Sequence, residues 1–168
     1  MDLRLAEIDD ADAIRAIYNL EVTQSTVTFD LVPRTLDDQR QWIKEHGGAH
    51  PAIVAVNGPA GRREIVGFGS LGPHRPRPAY ATSVENSVYV RRDQQRRGVG
   101  RAILDELLRL GTAHGFHAIF ARIVDGHRAS IALHEACGFF TVGVEREVGR
   151  KFGRWLDVVV MERLLQAP

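Results

Sequence analysis

The sequence predicts a mixed α/β fold with an antiparallel first half and a single crossover helix. Three observations carry that reading. Apolar spacing along the 168 residues switches between periods of two and of 3.6 in the order βααβββαβαββ. Two short apolar runs, Ala52 to Val56 and Ile65 to Leu71, flank the turn cluster Asn57-Gly58-Pro59-Ala60-Gly61, an antiparallel hairpin signature. Ala118 to Val124 is apolar except at Arg122, as a strand covered on both faces should be. The order is not a repeated βαβ array, which argues against a doubly wound dinucleotide fold.

Each element follows from its own residues. Leu3 to Glu7 alternates apolar and polar like a short strand. Asp9 or Asp10 is placed to cap a helix whose apolar face is Ala13, Ile14, Ile17 and Leu20. Val22 to Phe29, rich in Thr, Ser and Val, reads as a loop. A second helix starts near Thr35, carries Leu36, Trp42 and Ile43 as apolar residues, and stops at the left-handed-permissive pair Gly47-Gly48. After the hairpin, a Pro/Arg loop from Gly72 to Pro78 leads into a long strand from about Tyr80 to Val90. Arg96 to Gly100 opens a helix with Ile103, Leu104, Leu107, Leu108 and Leu110 as its buried stripe; Gly111 and Gly115 help to end it. A further helix covers Ala129 to Ala136. Two closing strands, about Phe140 to Val148 and Trp155 to Met161, surround a turn from Gly149 to Arg154.

Composition bounds the function. With 44% hydrophobic and 26% charged residues, long disorder and a fibrous chain are excluded. The expectation is one domain, 1–168, with chain enough to bury a core. Lys+Arg 22 against Asp+Glu 21 leaves +1, so no global field draws nucleic acid or a membrane. One cysteine makes no internal disulfide and no Cys-cluster metal site. No apolar run approaches the roughly 20 residues that cross a bilayer. MDLRLAEIDD lacks the basic-then-apolar pattern of a secretory signal, so a cytoplasmic location is expected.

The chemistry concentrates in one stretch. Val84-Glu85-Asn86-Ser87-Val88-Tyr89-Val90 is followed by Arg91 to Gln95 and by Arg96-Arg97-Gly98-Val99-Gly100-Arg101. A strand, a basic Gly-rich turn and an amphipathic helix build an anion cradle. Free N–H groups at a helix start bind phosphate oxygens, glycines let the backbone approach, and arginines add charge and forked hydrogen bonds. Only Lys44 and Lys151 among the basic residues are lysines. The Walker pattern is absent, and the dinucleotide fingerprint fails because Ile103 stands where its third small residue belongs.

What remains is the pattern Q/R-x-x-G-x-G/A, here Gln95-Arg96-Arg97-Gly98-Val99-Gly100 after a strand ending VYV. It resembles the pyrophosphate loop of the GCN5-related N-acetyltransferases (GNAT), whose cosubstrate is acetyl-coenzyme A. The likeness spans nearly the whole chain. Tyr18-Asn19, Ser25 to Phe29, Pro33-Arg34-Thr35, Leu133-His134-Glu135-Ala136-Cys137-Gly138-Phe139 and Lys151 to Asp157 resemble the phosphinothricin and methionine sulfone/sulfoximine acetyltransferase branch. The resemblance implies a central, mostly antiparallel mixed sheet with helices on both faces. It also implies acetyl transfer to the α-amine of a small amino acid analogue, usually by a homodimer; the near-zero net charge argues against a nucleic-acid or membrane partner, and an activated thioester requires no metal.

Residue roles follow. Amide synthesis from a thioester needs a neutral amine, and an amino acid's amine is mostly protonated, so a base within reach is required. Glu85 is the candidate: in an alternating strand it shares a face with Ser83, Ser87 and Tyr89, opposite Val84, Val88 and Val90. By resemblance, the backbone of Val88, Tyr89 and Val90 pairs with the pantetheine arm as an added strand, and an N–H near 88 polarises the thioester carbonyl. Arg96, Arg97, Gly98, Val99, Gly100 and Arg101 would then hold the pyrophosphate. Arg75, Pro76 and Arg77, with Glu85, Asn86 and Ser87, are the acceptor-binding candidates; Arg75 suits an α-carboxylate as a fork.

Phe29 and Tyr80 are pocket-wall or core aromatics, and Trp155 and Asp157 are second-line candidates. His134 is either a packed residue or a proton-handling one. Cys137 lacks a hydrolase context and reads as packing. Where related sequences carry Asn in an N-x-x-S turn touching coenzyme A, this chain has His127. Rival readings are an acetyltransferase for a peptide N-terminus, polyamine or aminoglycoside, and an inactive acyl-coenzyme A sensor. Another is a nucleic-acid module using Arg91, Arg92, Arg96, Arg97 and Arg101, although no aromatic platform interleaves them.

Overall fold

Alternation along the strands sends every second side chain to one of two helical layers. In the computed structural model, which describes residues 1–59 and 63–165, the elements are β1 (Asp2–Leu5), α1 (Ala11–Gln24), α2 (Leu36–Glu45), β2 (Ala52–Asn57), β3 (Glu64–Pro73), β4 (Ser83–Val90), α3 (Val99–Ala113), β5 (Ala118–Val124), α4 (Arg128–Ala136), β6 (Phe140–Lys151) and β7 (Arg154–Leu164). They build one seven-stranded sheet in the order β1-β2-β3-β4-β5-β7-β6. Only the β4–β5 pair is parallel, and α3 is its crossover. The mixed, mostly antiparallel sheet with helices on both faces is therefore observed.

On one face, Ile53, Ala55, Val84, Ile119, Ala121 and Met161 pack under α3, which buries Ile103, Leu104 and Leu107, and under Cys137 at the end of α4. On the other, Val54, Val56 and Phe68 meet Ile14, Ile17, Tyr18 and Val22 of α1 and Ile43 of α2. Burial of each large side chain contributes about 1.5–3 kcal/mol relative to exposure. Close helix–sheet contact needs a small residue: a Cβ at Gly69 would stand 2.5 Å from Ile103 Cγ2 and 2.9 Å from the Ser87 carbonyl oxygen.

Several boundaries differ from the sequence reading, each for a local reason. Asp10 does not cap α1; its carboxylate turns back to accept from Arg4 at 2.6 and 2.7 Å and from the Glu7 N–H at 2.7 Å. The first strand therefore stops at Leu5, before a 3-10 turn at Ile8–Asp10. Helix α1 runs on to Gln24 because Val22 is buried against the core. Helix α2, opened by a reciprocal Thr35–Asp38 capping box, ends at Glu45, ahead of the Gly47-Gly48 pair. The residues Pro78–Tyr80 form a 3-10 turn rather than the start of β4. Gly111 lies inside α3, where a side chain would run into Ile119; Gly115, at φ +78°, follows the helix end. The last turn is two residues, Phe152 and Gly153, both at positive φ. Of the expected hairpin turn, Ala60 and Gly61 lie outside the described residues.

Candidate active site

The cleft arises where two strands part. β4 pairs with β3 from Val84 to Val90, but with β5 only at Ser83, Val84 and Glu85. Beyond that point β5 stays with β7 along its whole length. The β5-facing edge of β4 from Asn86 to Val90 is thus left without a strand partner, offering backbone N–H and C=O groups to a ligand. A cavity of about 720 Å³ opens there, within the range typical of small-molecule sites.

One end of that cavity is backbone chemistry. Gly98, at φ +81°, precedes α3, and no side chain caps the helix's first-turn amides. Nothing lies within 4 Å of where a Cβ at Gly98 would sit. The result is an open concavity of amides at the positive end of a 15-residue helix. Arg96 also has positive φ, at 59°. Arg96 and Arg97 form no ion pair among the described residues, whereas Arg101 is engaged by Asp105 at 2.8 Å and the Ala136 carbonyl at 3.0 Å.

The other end is side-chain chemistry. Glu85, Phe120 and Arg122 share the sheet face turned toward α1, and Glu85 pairs with Phe120 across the last β4–β5 bridge. Arg122 forms a two-pronged ion pair with Glu145 of β6, one prong 2.8 Å long. Burial pushes the Glu85 carboxyl above its ordinary value; Glu145 adds to that, while Arg122 and Arg75 oppose it. The group is thereby moved toward the range useful to a general base at neutral pH. His74 lies beside it, with Nδ1 4.0 Å from Glu85 Oε2.

A loop borders the Glu85 end of the cavity, and the chain segments that mark the family resemblance hold it. Tyr18 Oη bonds Thr28 Oγ1 at 2.9 Å and donates to Asp30 at 2.6 Å, while the Arg34 guanidinium covers the Tyr18 ring at 3.9 Å. The Asn19 amide both donates to the Arg34 carbonyl and accepts from its N–H. From below, Lys151, only 3% exposed, donates to the Thr28 carbonyl at 2.8 Å. Burial lowers its pKa. Gly149 leaves room for the Phe29 ring, where a side chain would collide. Val27, Thr28 and Phe29 consequently wall the cavity.

The cavity wall includes Glu85, Asn86, Ser87, Val88, Tyr89, Val90, Arg96, Gly98, Gly100, Arg101 and His127. Val99 is buried beneath the cradle, and Arg97 is exposed outside it. Arg75, Pro76 and Arg77 are exposed on the loop after β3 and do not line this cavity; Arg75 leans on Tyr80 and His74. Asn86 points to the α4 face, away from Glu85. Its Nδ2 donates to the Phe120 carbonyl at 3.0 Å and its Oδ1 meets His134 Nε2 at 3.1 Å, pinning the apex of the splay.

His134 Nδ1 in turn bonds the Ser130 carbonyl at 2.8 Å. Carbonyl oxygens stand at both ends of this chain and only accept, so a neutral ring donates to one of them and both links form only when the ring carries both protons. Burial opposes that by lowering the His134 pKa. Trp155 and Asp157 lie away from the cavity: Trp155 is exposed against Arg150, and Asp157 accepts from the Glu147 N–H at 2.7 Å. Cys137 is core. Arg91 and Arg92 are ion-paired with Glu64, Asp93 and Glu21, which removes them from a free basic stripe.

Sequence reasoning missed His74, Arg122, Glu145 and Lys151 as parts of this site. Two signals were present: an arginine inside an apolar strand, and a histidine two residues beyond Gly72, the β3 partner of Glu85, hence on its face.

Residues 3–160 match the model of the acetyltransferase (GNAT) domain. Phosphinothricin N-acetyltransferase of Streptomyces coelicolor is 39% identical over 157 residues, 94% of this chain and 92% of the relative. L-methionine sulfoximine/L-methionine sulfone acetyltransferase of Pseudomonas aeruginosa is 37% identical over 160 residues, 95% and 92% of the two chains. The crystal structure of a Sinorhizobium meliloti phosphinothricin acetyltransferase in complex with AcCoA superposes with TM-score 0.91 at 34% identity, covering 98% of this chain and 88% of that one. With its splayed β4–β5 pair and glycine-opened α3, this chain belongs to the GNAT acetyltransferase family.

Proposed function

We propose that this protein is one catalytic domain, 1–168, that moves the acetyl group of acetyl-coenzyme A to the α-amine of a small amino acid analogue. The acceptor is of phosphinothricin, methionine sulfoximine or methionine sulfone type. The observation that carries the reading is a single cavity bounded by the open β4 edge, by the uncapped α3 amides and by a half-buried carboxylate, Glu85. The residues suit the cosubstrate: the Gly98 concavity accommodates a pyrophosphate, and free strand edge suits an extended amide-bearing arm. Acetyl-coenzyme A, when bound, supplies an acyl group already activated as a thioester. Amides from Val99 to Arg101, with Arg96, would hold the diphosphate. His127, at the start of α4, lines the same wall. An N–H of β4 near Val88 would polarise the carbonyl. Glu85 takes the proton from the acceptor's ammonium, leaving a neutral amine.

Direct attack needs no group on the enzyme to carry the acyl unit and no metal. A homodimer in the cytoplasm is part of the proposal. The resemblance supports it, and so do the apolar side chains that edge strand β6 exposes at Phe140, Val142, Val144 and Val148, a surface suited to a second copy. No described helix is long and apolar enough to cross a membrane.

The test is thiol release from acetyl-coenzyme A against amino acid analogues, peptides, polyamines and aminoglycosides. Turnover confined to the amino acid analogues is expected; preference for a polycationic amine overturns the acceptor assignment. Light scattering at one chain per particle would remove the homodimer.

A further inference from the structure

Beside Glu85 lies a histidine that the proposed reaction does not yet use. His74 follows the last residue of β3. Gly72 pairs with Glu85, so a residue two further along lies on the Glu85 side of the sheet. The His74 side chain is 9% exposed. Its ring stacks on Phe120 at 4.1 Å and 14°, and meets Tyr80 edge-on at 5.8 Å. Its Nδ1 is buried and has no hydrogen-bond partner among the described residues. The acceptor facing it is Glu85 Oε2, 4.0 Å away. Its other nitrogen, Nε2, receives a long hydrogen bond of 3.4 Å from Arg75 Nε.

That last contact decides the tautomer. A guanidinium N–H only donates, so Nε2 is the lone-pair nitrogen and the ring proton sits on Nδ1, aimed at the Glu85 carboxylate. A buried N–H without a partner costs free energy, and a small rotation of either side chain, or one bridging water, satisfies it at Glu85. Charges around the ring keep it neutral. Arg75 on its own segment and Arg122 on β5 disfavour the imidazolium together with burial, and Glu162 on β7 opposes them. Glu85 itself feels Arg122, Arg75 and Glu145 of β6.

We propose that His74 is a positioning residue for Glu85: Arg75 sets its tautomer, Nδ1–H holds Oε2, and Oε1 is left to face the acceptor amine. Arg75 on this reading acts through His74 rather than as a clamp on the acceptor's carboxylate. The inference rests on Glu85 being the base. It has a signed consequence. A hydrogen bond to the carboxylate favours its charged form, so the His74 contact offsets part of the upward push that burial gives Glu85. Losing the donor raises the Glu85 pKa and moves the acid limb of kcat/KM to higher pH.

Two variants and one spectrum test it. His74→Phe keeps the stack on Phe120 and removes the donor; the acid limb should move up by about half to one pH unit, in line with one hydrogen bond. His74→Asn, which keeps a donor but does not titrate, should return the limb toward the native position. In the unaltered protein, 15N shifts should report a neutral ring with the proton on Nδ1 between pH 7 and 9. An acid limb that stays put in His74→Phe, or a ring protonated on Nε2 alone, overturns the proposal. The two readings fail separately. If Glu85→Gln leaves the acid limb unchanged, Glu85 is not the base and the catalytic role of His74 falls with it, whereas the ring spectrum judges the Arg75–His74 contact by itself.

Discussion

The two ends of the cleft are made of different material. The end by α3 is backbone: amides, a left-handed glycine and an unpaired strand edge, supplied by residues 86–101 of one continuous segment. The acceptor end is side chain, brought together from β3, β4, β5, β6, the α1–α2 loop and the β6–β7 hairpin. On the proposed function, backbone groups would hold the cosubstrate, because phosphate and peptide-like arms need only N–H and C=O in fixed array. Side chains from scattered strands would meet the acceptor, and each rests on another: Arg75 on His74, His74 beside Glu85, Glu145 on Arg122, Thr28 on Lys151.

The sharpest way to break this contrast is at Glu85. Glu85→Gln should cut turnover at neutral pH by about 10²–10⁴-fold, with part recovered as pH rises and free amine accumulates. The same change should not weaken the fold. Burial raises the native pKa of Glu85 above its unfolded value, so the carboxylate is stable-neutral at low pH. Stability is then lost as pH climbs from the ordinary Glu range through the raised value. The amide has no such loss, so its melting temperature at neutral pH should equal or exceed the parent's. A variant that is inactive because it melts early would refute the division of roles.

Lys151→Met tests whether the β6–β7 hairpin belongs to the acceptor end. A charged, buried hydrogen bond to the Thr28 carbonyl is lost, so unfolding free energy should fall by about 1.5–3 kcal/mol in denaturant titrations. KM for the acceptor should rise more than KM for acetyl-coenzyme A. Equal rises would show that the loop serves both ends.

Gly98→Val addresses the backbone end. A left-handed conformation costs an L-residue about 1–2 kcal/mol, and the new side chain fills the concavity. Calorimetry should therefore find acetyl-coenzyme A affinity about tenfold weaker or more, with acceptor KM little changed. The smallest effect is expected at Arg40, whose pair with Asp37 on α2 is exposed at both ends and away from the cleft. Arg40→Ala should shift stability by less than about 1 kcal/mol, and less still at high salt.

Local signals and tertiary assembly divide along the same line. Gly98, Gly100, the basic run and the preceding alternating strand are neighbours in sequence, so spacing alone exposed the cradle and put Glu85 on the polar face of β4. The same local logic marked α3 and β5 with their boundaries nearly right. It failed at Asp10, where a capping residue was drawn off by Arg4. It failed again at Tyr80, held in a 3-10 turn by Pro78 and by packing on His74. Asn86 stands among the acceptor-binding candidates and lines the cavity, and strand alternation turns its side chain to the α4 face, where it bonds Phe120 and His134.

Chain order and the period of two were sufficient to determine the fold class, the glycine-opened start of α3 and the face on which Glu85 stands. These depend on interactions between residues a few positions apart. Only the folded chain decided that β4 and β5 part after Glu85, that His74 and the Arg122 charge come beside that carboxylate, and that Lys151 reaches Thr28 across 123 positions. Strand order and register bring such groups together, and a pairwise contact between distant segments leaves no periodic mark in either of them.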